Sequence, residues 1–240
     1  MSDPTRTSQS TRHATDPAGA AARTPAAAVA PTSRHPLAAA FRLLITAAAL
    51  TGLVLAALGT TVPVQLLARF SVQANLAAAV VAACSAHRAW TGRRPVSPRV
   101  TGALFPFLFL PALLHYAFPA AHTAFTLPAT TPGAAQAVCH QLLYTLTPLA
   151  TLADWLLLTT PRGFHLSYAW QWPAYPLLHL AFALALPAAT GAPSPTVATA
   201  LPLAVTICAL PLIAIGIDQV RPAPRLHNNR ISPTGISPLK

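Results

Sequence analysis

Acidic side chains are almost absent from this chain: Asp3, Asp16, Asp154 and Asp218 stand against fifteen lysines and arginines in 240 residues. Charged residues make up 8% of the sequence, where soluble domains use roughly 25%, and so few cannot cover a water-facing surface. Cysteine is scarce too. Cys84, Cys139 and Cys208 lack metal-ligand spacing and fall within or beside apolar runs, so no disulfide framework is implied and each reads as a small buried hydrophobe. GxGxxG, P-loop, HExxH and GxSxG patterns are missing, and with them the soluble-enzyme chemistries legible at motif level. No metal and no cofactor is expected. A net charge of +11 suits nucleic acid or anionic lipid. Because the cations lie between long apolar runs and do not gather on one polar domain, membrane lipids are the expected partner and nucleic acid is not. The sequence specifies no protein partner.

What the chain has instead is apolar runs. Six of them approach the roughly 20 residues that a helix needs to cross a bilayer core. They cover about Phe41 to Val62, Leu66 to His87, Thr101 to Ala120, Gln136 to Thr159, Trp172 to Thr190 and Val197 to Ile217. Buried helices of a soluble protein would carry a polar stripe for solvent, and these carry too few polar residues for one. The expected fold is all-α, a polytopic cell-membrane protein with a bundle of six transmembrane helices over residues 37–220. Residues 1–36, rich in Ala, Pro, Thr, Ser and Arg, and residues 221–240 bury too little to offset chain entropy and are expected to be disordered tails. A cleaved signal peptide fits poorly, because the apolar run after the N-terminal tail exceeds the usual h-region.

Orientation follows from the cations, which short cytoplasmic loops retain. Arg6, Arg12, Arg23, Arg34 and Arg42 precede or open the first span, and Arg88, Arg93, Arg94 and Arg99 lie between spans two and three. Arg162 follows span four, and Arg221, Arg225, Arg230 and Lys240 follow span six. The alternate connections have no Lys or Arg, and Trp90, Trp155, Trp170 and Trp172 fall near the same interface as the cations. Both termini are therefore expected in the cytoplasm. Only Arg69 falls well inside a span.

Polar residues inside spans are costly in lipid and normally face a bundle interior or a water-filled cavity. Arg69, Ser71, Gln73 and Asn75 lie near the outer end of span two, His115 and Tyr116 near that of span three, and His140, Gln141 and Tyr144 near that of span four. A polar pocket open toward the outer leaflet is the simplest arrangement. His140, Tyr144, Thr147, Thr151 and Asp154 form one helical stripe, which reads either as an interhelical hydrogen-bonding seam or as part of a site. In the second reading Ser71 is a nucleophile and His140 its base, since an unassisted hydroxyl is weak. Asp154 lies over about 20 Å down the helix from His140 and cannot orient it.

Phe70-Ser71-Val72-Gln73-Ala74-Asn75, followed by Leu-Ala-Ala-Ala, resembles the second-helix signature F-T-x-x-S-N of the bacterial six-helix Pr-six-Pr family. Leu142-Leu143-Tyr144-Thr145-Leu146-Thr147-Pro148, then Trp155-Leu156-Leu157 and Pro161-Arg162, resembles that family's fourth-helix block L-L-H-x-x-x-P, W-L-L and P-R, and Tyr175-Pro176 resembles a pair at the start of its fifth helix. The family is similar to the animal androgen-induced membrane proteins, which hydrolyse fatty-acid esters of hydroxy fatty acids with an intramembrane Thr and His. The resemblance implies a divergent member. The family Thr falls on Ser71, which keeps a hydroxyl, whereas the family His falls on Tyr144, a poor base at neutral pH. The aromatic segment of relatives between the fifth and sixth helices is missing.

Two classes of function follow. One is a bundle that has lost catalysis and binds lipid or a partner through its outer polar pocket. The other is an intramembrane lipid-ester hydrolase using Ser71 with His140 or His115, with Gln73, Asn75 or Tyr144 donating to an oxyanion and Arg69 snorkelling to hold a ligand carboxylate. His115, like Arg69, Gln73 and Asn75, is a candidate for substrate binding. A small-solute transporter is a third class, for which no inverted repeat or broken-helix pair stands out.

Overall fold

Proline sets the first boundary. The computed structural model describes residues 34–61, 63–117, 125–127, 133–190 and 197–222, and within them α1 begins at Pro36, five residues before the expected start. Proline is favoured in the first helical turn because the N–H it lacks would have no helical acceptor there. The expected disordered tails lie outside the described residues, save for their inner ends, as do most of the connections at 118–132 and 191–196.

Among the described residues the chain is helical, with no strand. Helix α1 covers Pro36–Leu58, α2 Phe70–Thr91 and α3 Pro98–Ala117, and α4 covers Ala134–Gln141. A π-helical segment, Leu142–Leu146, joins α4 to α5, Thr147–Leu158, and the short α6, Tyr168–Gln171, precedes α7, Ala174–Thr190, and α8, Val197–Val220. Among the described residues four helices are long and apolar enough to cross a membrane: α1, α2, α3 and the Ala200–Val220 portion of α8. The other two expected spans take different forms. One is divided by the π segment, and the other, α7, has 17 residues, about 26 Å at 1.5 Å per residue.

Small side chains bring the helices together. Ala74, Ala78, Ala82 and Ala86 recur every fourth residue of α2 and are buried, and the main partner of α2 is α1, whose buried residues include Ala39, Ala49, Gly52 and Ala56. Such small-residue stripes allow close backbone approach where a bilayer offers no hydrophobic drive between helices. At Gly52 the approach is tight, since a Cβ would stand 2.6 Å from Leu143 Cδ2 of the π segment. Cys139 is buried there and donates from Sγ to the Gly52 carbonyl at 3.3 Å. Cys84 and Cys208, by contrast, are exposed: they sit on outward faces of α2 and α8, so only one of the three cysteines is the expected buried hydrophobe.

Outside, the bundle is apolar. Leu43, Leu44, Leu50, Val54, Leu157, Phe182, Leu201, Val205 and Leu212 are all exposed, an apolar exterior of a kind that soluble monomers rarely show.

The two ends differ. At one, His35 N–H donates to Ala89 O, Trp172 Nε1 donates to Arg99 O, and Arg221 caps the end of α5 by donating to Leu156 O and Thr159 O, both at 2.8 Å. Arg34, Arg88, Arg93, Arg94, Arg99 and Arg162 belong to this basic end. Here Trp155, Phe164 and Trp172 pack together, while Trp90 and Trp170 are exposed. At the other end Arg69 is the single described arginine. It does not lie inside a span: a 3-10 segment, Pro63–Ala68, replaces the expected first turns, and Arg69 is the N-cap residue of α2. Two ion pairs join charges among the described residues, Arg42 with Asp154 at 2.8 Å and Arg221 with Asp218 at 3.2 Å. Both carboxylates are the only ones among the described residues.

Candidate functional site

The sequence places a hydroxyl, an amide and three rings near one end of three helices, and the structure joins them through an irregular helix. Pro148 is the local cause. Within the π segment Thr147 N–H donates back five residues to Leu142 O, and the next donor in that register would be Pro148, which has no N–H. The Leu143 carbonyl is left over, and Asn75 Nδ2 reaches it at 3.4 Å from α2 while also donating to Ser71 O at 2.9 Å. The π turn thus leaves a backbone acceptor for α2. Asn75 Oδ1 is buried with no partner in the protein.

Ser71 is fully buried in the second position of α2. Its N–H donates to Phe125 O at 3.0 Å, as the first turn of a helix must find acceptors outside the helix. Its side-chain partner is Tyr144: the phenol donates to Ser71 Oγ at 3.2 Å and accepts from Leu127 N–H at 2.7 Å. Tyr144 is itself 2% exposed, so this three-member chain is closed off from solvent by its own packing. His115 stacks on the Tyr144 ring, with centroids 4.3 Å apart and planes 13° from parallel. His140 stands edge-on to both, 5.0 Å from His115 and 5.6 Å from Tyr144 between centroids. Its Nε2 lies 2.9 Å from Gln136 Nε2, a pairing in which the imidazole nitrogen accepts from the amide.

The expected site residues are therefore brought to one end, in two layers. Ser71, Asn75 and Tyr144 form a buried layer, and Arg69, Gln73, His115 and His140 form a partly exposed one. The Ser71 hydroxyl meets a phenol and neither imidazole. Gln73 faces away from Ser71, donating to Leu67 O at 2.7 Å and accepting from Tyr175 Oη at 2.6 Å. Of the expected polar stripe, Thr147 is buried next to the π turn with Oγ1 unpartnered, and Asp154 belongs to the basic end through Arg42.

Sequence reasoning missed Phe125 and Leu127, whose backbone groups fix Ser71 and Tyr144. It also missed Phe70, whose ring lies 5.4 Å from both Phe125 and His179 and 5.9 Å from Tyr175. Phe125 and Leu127 lie in a connection with no periodicity, which carried no signal. Phe70 carried one, being the residue just before Ser71 in the quoted motif.

No protein-family model, no curated protein and no solved structure matches the chain.

Proposed function

We propose that this chain is a six-span membrane protein with both termini in the cytoplasm, a divergent relative of the Pr-six-Pr proteins that binds lipid at its outer end without hydrolysing it. The observation that carries the reading is the bond from Tyr144 to Ser71. A serine becomes a nucleophile when a base takes its proton, and here the residue at the position of the family histidine offers a proton to the serine oxygen. The same phenol is held in that role by Leu127 N–H, which occupies its acceptor side. The apolar exterior and the four long apolar helices support the membrane setting. Arg69, half-buried at the N-cap of the helix that carries Ser71, supplies the cation for a fatty-acid carboxylate, and the partly exposed His115 and His140 supply polar ring edges over Tyr144.

The test uses purified full-length protein in nanodiscs. A photoreactive long-chain fatty acid is expected to crosslink near Arg69 and to lose that crosslink in Arg69→Gln. No turnover of hydroxy-fatty-acid esters and no labelling of Ser71 by a serine-directed fluorophosphonate are expected from wild type. Ester hydrolysis that disappears in Ser71→Ala would overturn the non-catalytic reading in favour of the hydrolase. Absence of any Arg69-dependent crosslink would remove the lipid-binding reading.

A further inference from the structure

A second polar site lies at the opposite end from Ser71. Between α1, α2, α3 and α5 there is a cavity of about 30 Å³ whose lining includes Arg42, Ser85, Thr151, Asp154 and Trp155, with Thr101 and Thr159. Three of its lining residues each carry a buried atom with no hydrogen-bond partner in the protein: Ser85 Oγ, Thr151 Oγ1 and Trp155 Nε1. Ser85 is 7% exposed and Trp155 6%. Leaving such groups unpaired is costly, so three of them around one cavity call for a ligand.

The indole orientation is fixed independently of the cavity. Phe164 stacks on Trp155 at 5.3 Å and 7°, and the Arg221 guanidinium lies 5.4 Å from the indole ring centroid. An indole N–H only donates, so whatever it meets must accept. Size and charge narrow the choice. A water needs about 10–15 Å³ of such space, so the cavity takes about two waters and no phosphate or carboxylate headgroup. Arg42 and Asp154 cancel, leaving the site formally neutral, and a halide accepting from Trp155 would face the Asp154 carboxylate. Water accepts from the indole and donates to the carboxylate at once.

We propose that this cavity is a binding site for a pair of water molecules linking Trp155 Nε1, Thr151 and Ser85 to the Arg42–Asp154 ion pair. The side chains of that pair are 12% and 17% exposed, which gives water its entry from the basic end. The pair is then a hydrated charge site within the bundle, as intramembrane charges facing a water-filled cavity are, and the inner half of the bundle is wet to the depth of Ser85.

The experiment is water-to-indole cross-relaxation by NMR on full-length protein carrying ¹⁵N-tryptophan, with the Trp155 signal assigned from Trp155→Phe. Trp172, whose buried indole donates to Arg99 O at 3.0 Å, is the internal control. A water cross-peak is expected on Trp155 and not on Trp172. It should lose most of its intensity in the double variant Ser85→Ala, Thr151→Val, with the Trp172 resonance unmoved to show that the fold survives. No water cross-peak on wild-type Trp155, with Trp172 intact, would overturn the proposal. A Trp155 resonance that shifts when bromide replaces chloride would overturn it too, by identifying a halide as the ligand.

Discussion

Tyr144 occupies the one position where a single atom separates two chemistries. Its hydroxyl accepts from Leu127 N–H and donates to Ser71 Oγ, so Tyr144→Phe removes both bonds and strands a buried backbone donor. That loss is expected to destabilise the protein by about 1–3 kcal/mol, the cost of an unpaired buried group, read from unfolding in mixed micelles with SDS as denaturant. A change within a few tenths of a kcal/mol would mean that Leu127 N–H finds another acceptor and that the chain of bonds does not hold Ser71 in place. At this scale much of the cluster was legible in the sequence. Ser71, Asn75, His115, His140 and Tyr144 are polar residues inside apolar runs, and the cost of putting them in lipid marks them. Their partners were not legible, because a phenol and an imidazole one helical turn apart share a face, and spacing alone does not say which one reaches the serine. The Arg42–Asp154 pair did leave a signal. With so few carboxylates among the apolar runs, each had to find a cation, though nothing in the spacing chose Arg42 over the other arginines.

At the scale of elements, length and apolarity gave the helices, and proline and glycine decided the details that periodicity could not. Pro36 moved the start of α1 outward, and the chain before Arg69 formed a 3-10 segment, Pro63–Ala68, that takes in the expected start of the second span at Leu66. The π segment was not legible either: an ideal 3.6-residue repeat runs through residues 136–159, and the displaced register shows only where Thr147 bonds back five residues ahead of Pro148. That segment packs on α1 through a gap that only glycine leaves. Gly52→Val would place its Cβ 2.6 Å from Leu143 Cδ2 and 3.2 Å from Leu142 Cβ, and overpacking of this kind typically costs about 1–3 kcal/mol. Gly216→Ala is the control, since a Cβ there meets nothing within 4 Å. The expected outcome is a lower unfolding midpoint for Gly52→Val alone. Equal midpoints for both variants would show that α1 and the π segment separate freely, and the tight packing between them would then carry no stability.

For the whole molecule the governing asymmetry is charge between the two ends. Arg34, Arg42, Arg88, Arg93, Arg94, Arg99, Arg162 and Arg221 lie toward one end, and Arg69 stands alone at the other. Asp154 and Asp218 neutralise Arg42 and Arg221, so the remaining six at the basic end face no carboxylate among the described residues. A lysine or arginine beside an anionic leaflet gains about 1 kcal/mol, and short loops rich in them stay on the cytoplasmic side. Reversing the molecule would forfeit that attraction several times over and carry those arginines across the bilayer. The proposed orientation is therefore testable by single-cysteine labelling in cells. The background carries Cys84→Ala and Cys208→Ala, both at exposed positions, and Cys139→Ser, which keeps a donor for the Gly52 carbonyl. A cysteine introduced at Ser10, Thr91 or Ser232 should react with a membrane-impermeant maleimide only after permeabilisation, and one at Thr130 should react in intact cells. Thr91 closes α2 beside the arginine-rich turn, while Thr130 lies in the connection that leads to α4 and the Ser71 end. The opposite pattern would place Ser71 and Arg69 at the inner leaflet, and any lipid they bind would then come from the cytoplasmic side. Labelling of both Thr91 and Thr130 in intact cells would put both ends of α3 on the same side, so that α3 does not cross the bilayer, and would rule out the six-span arrangement.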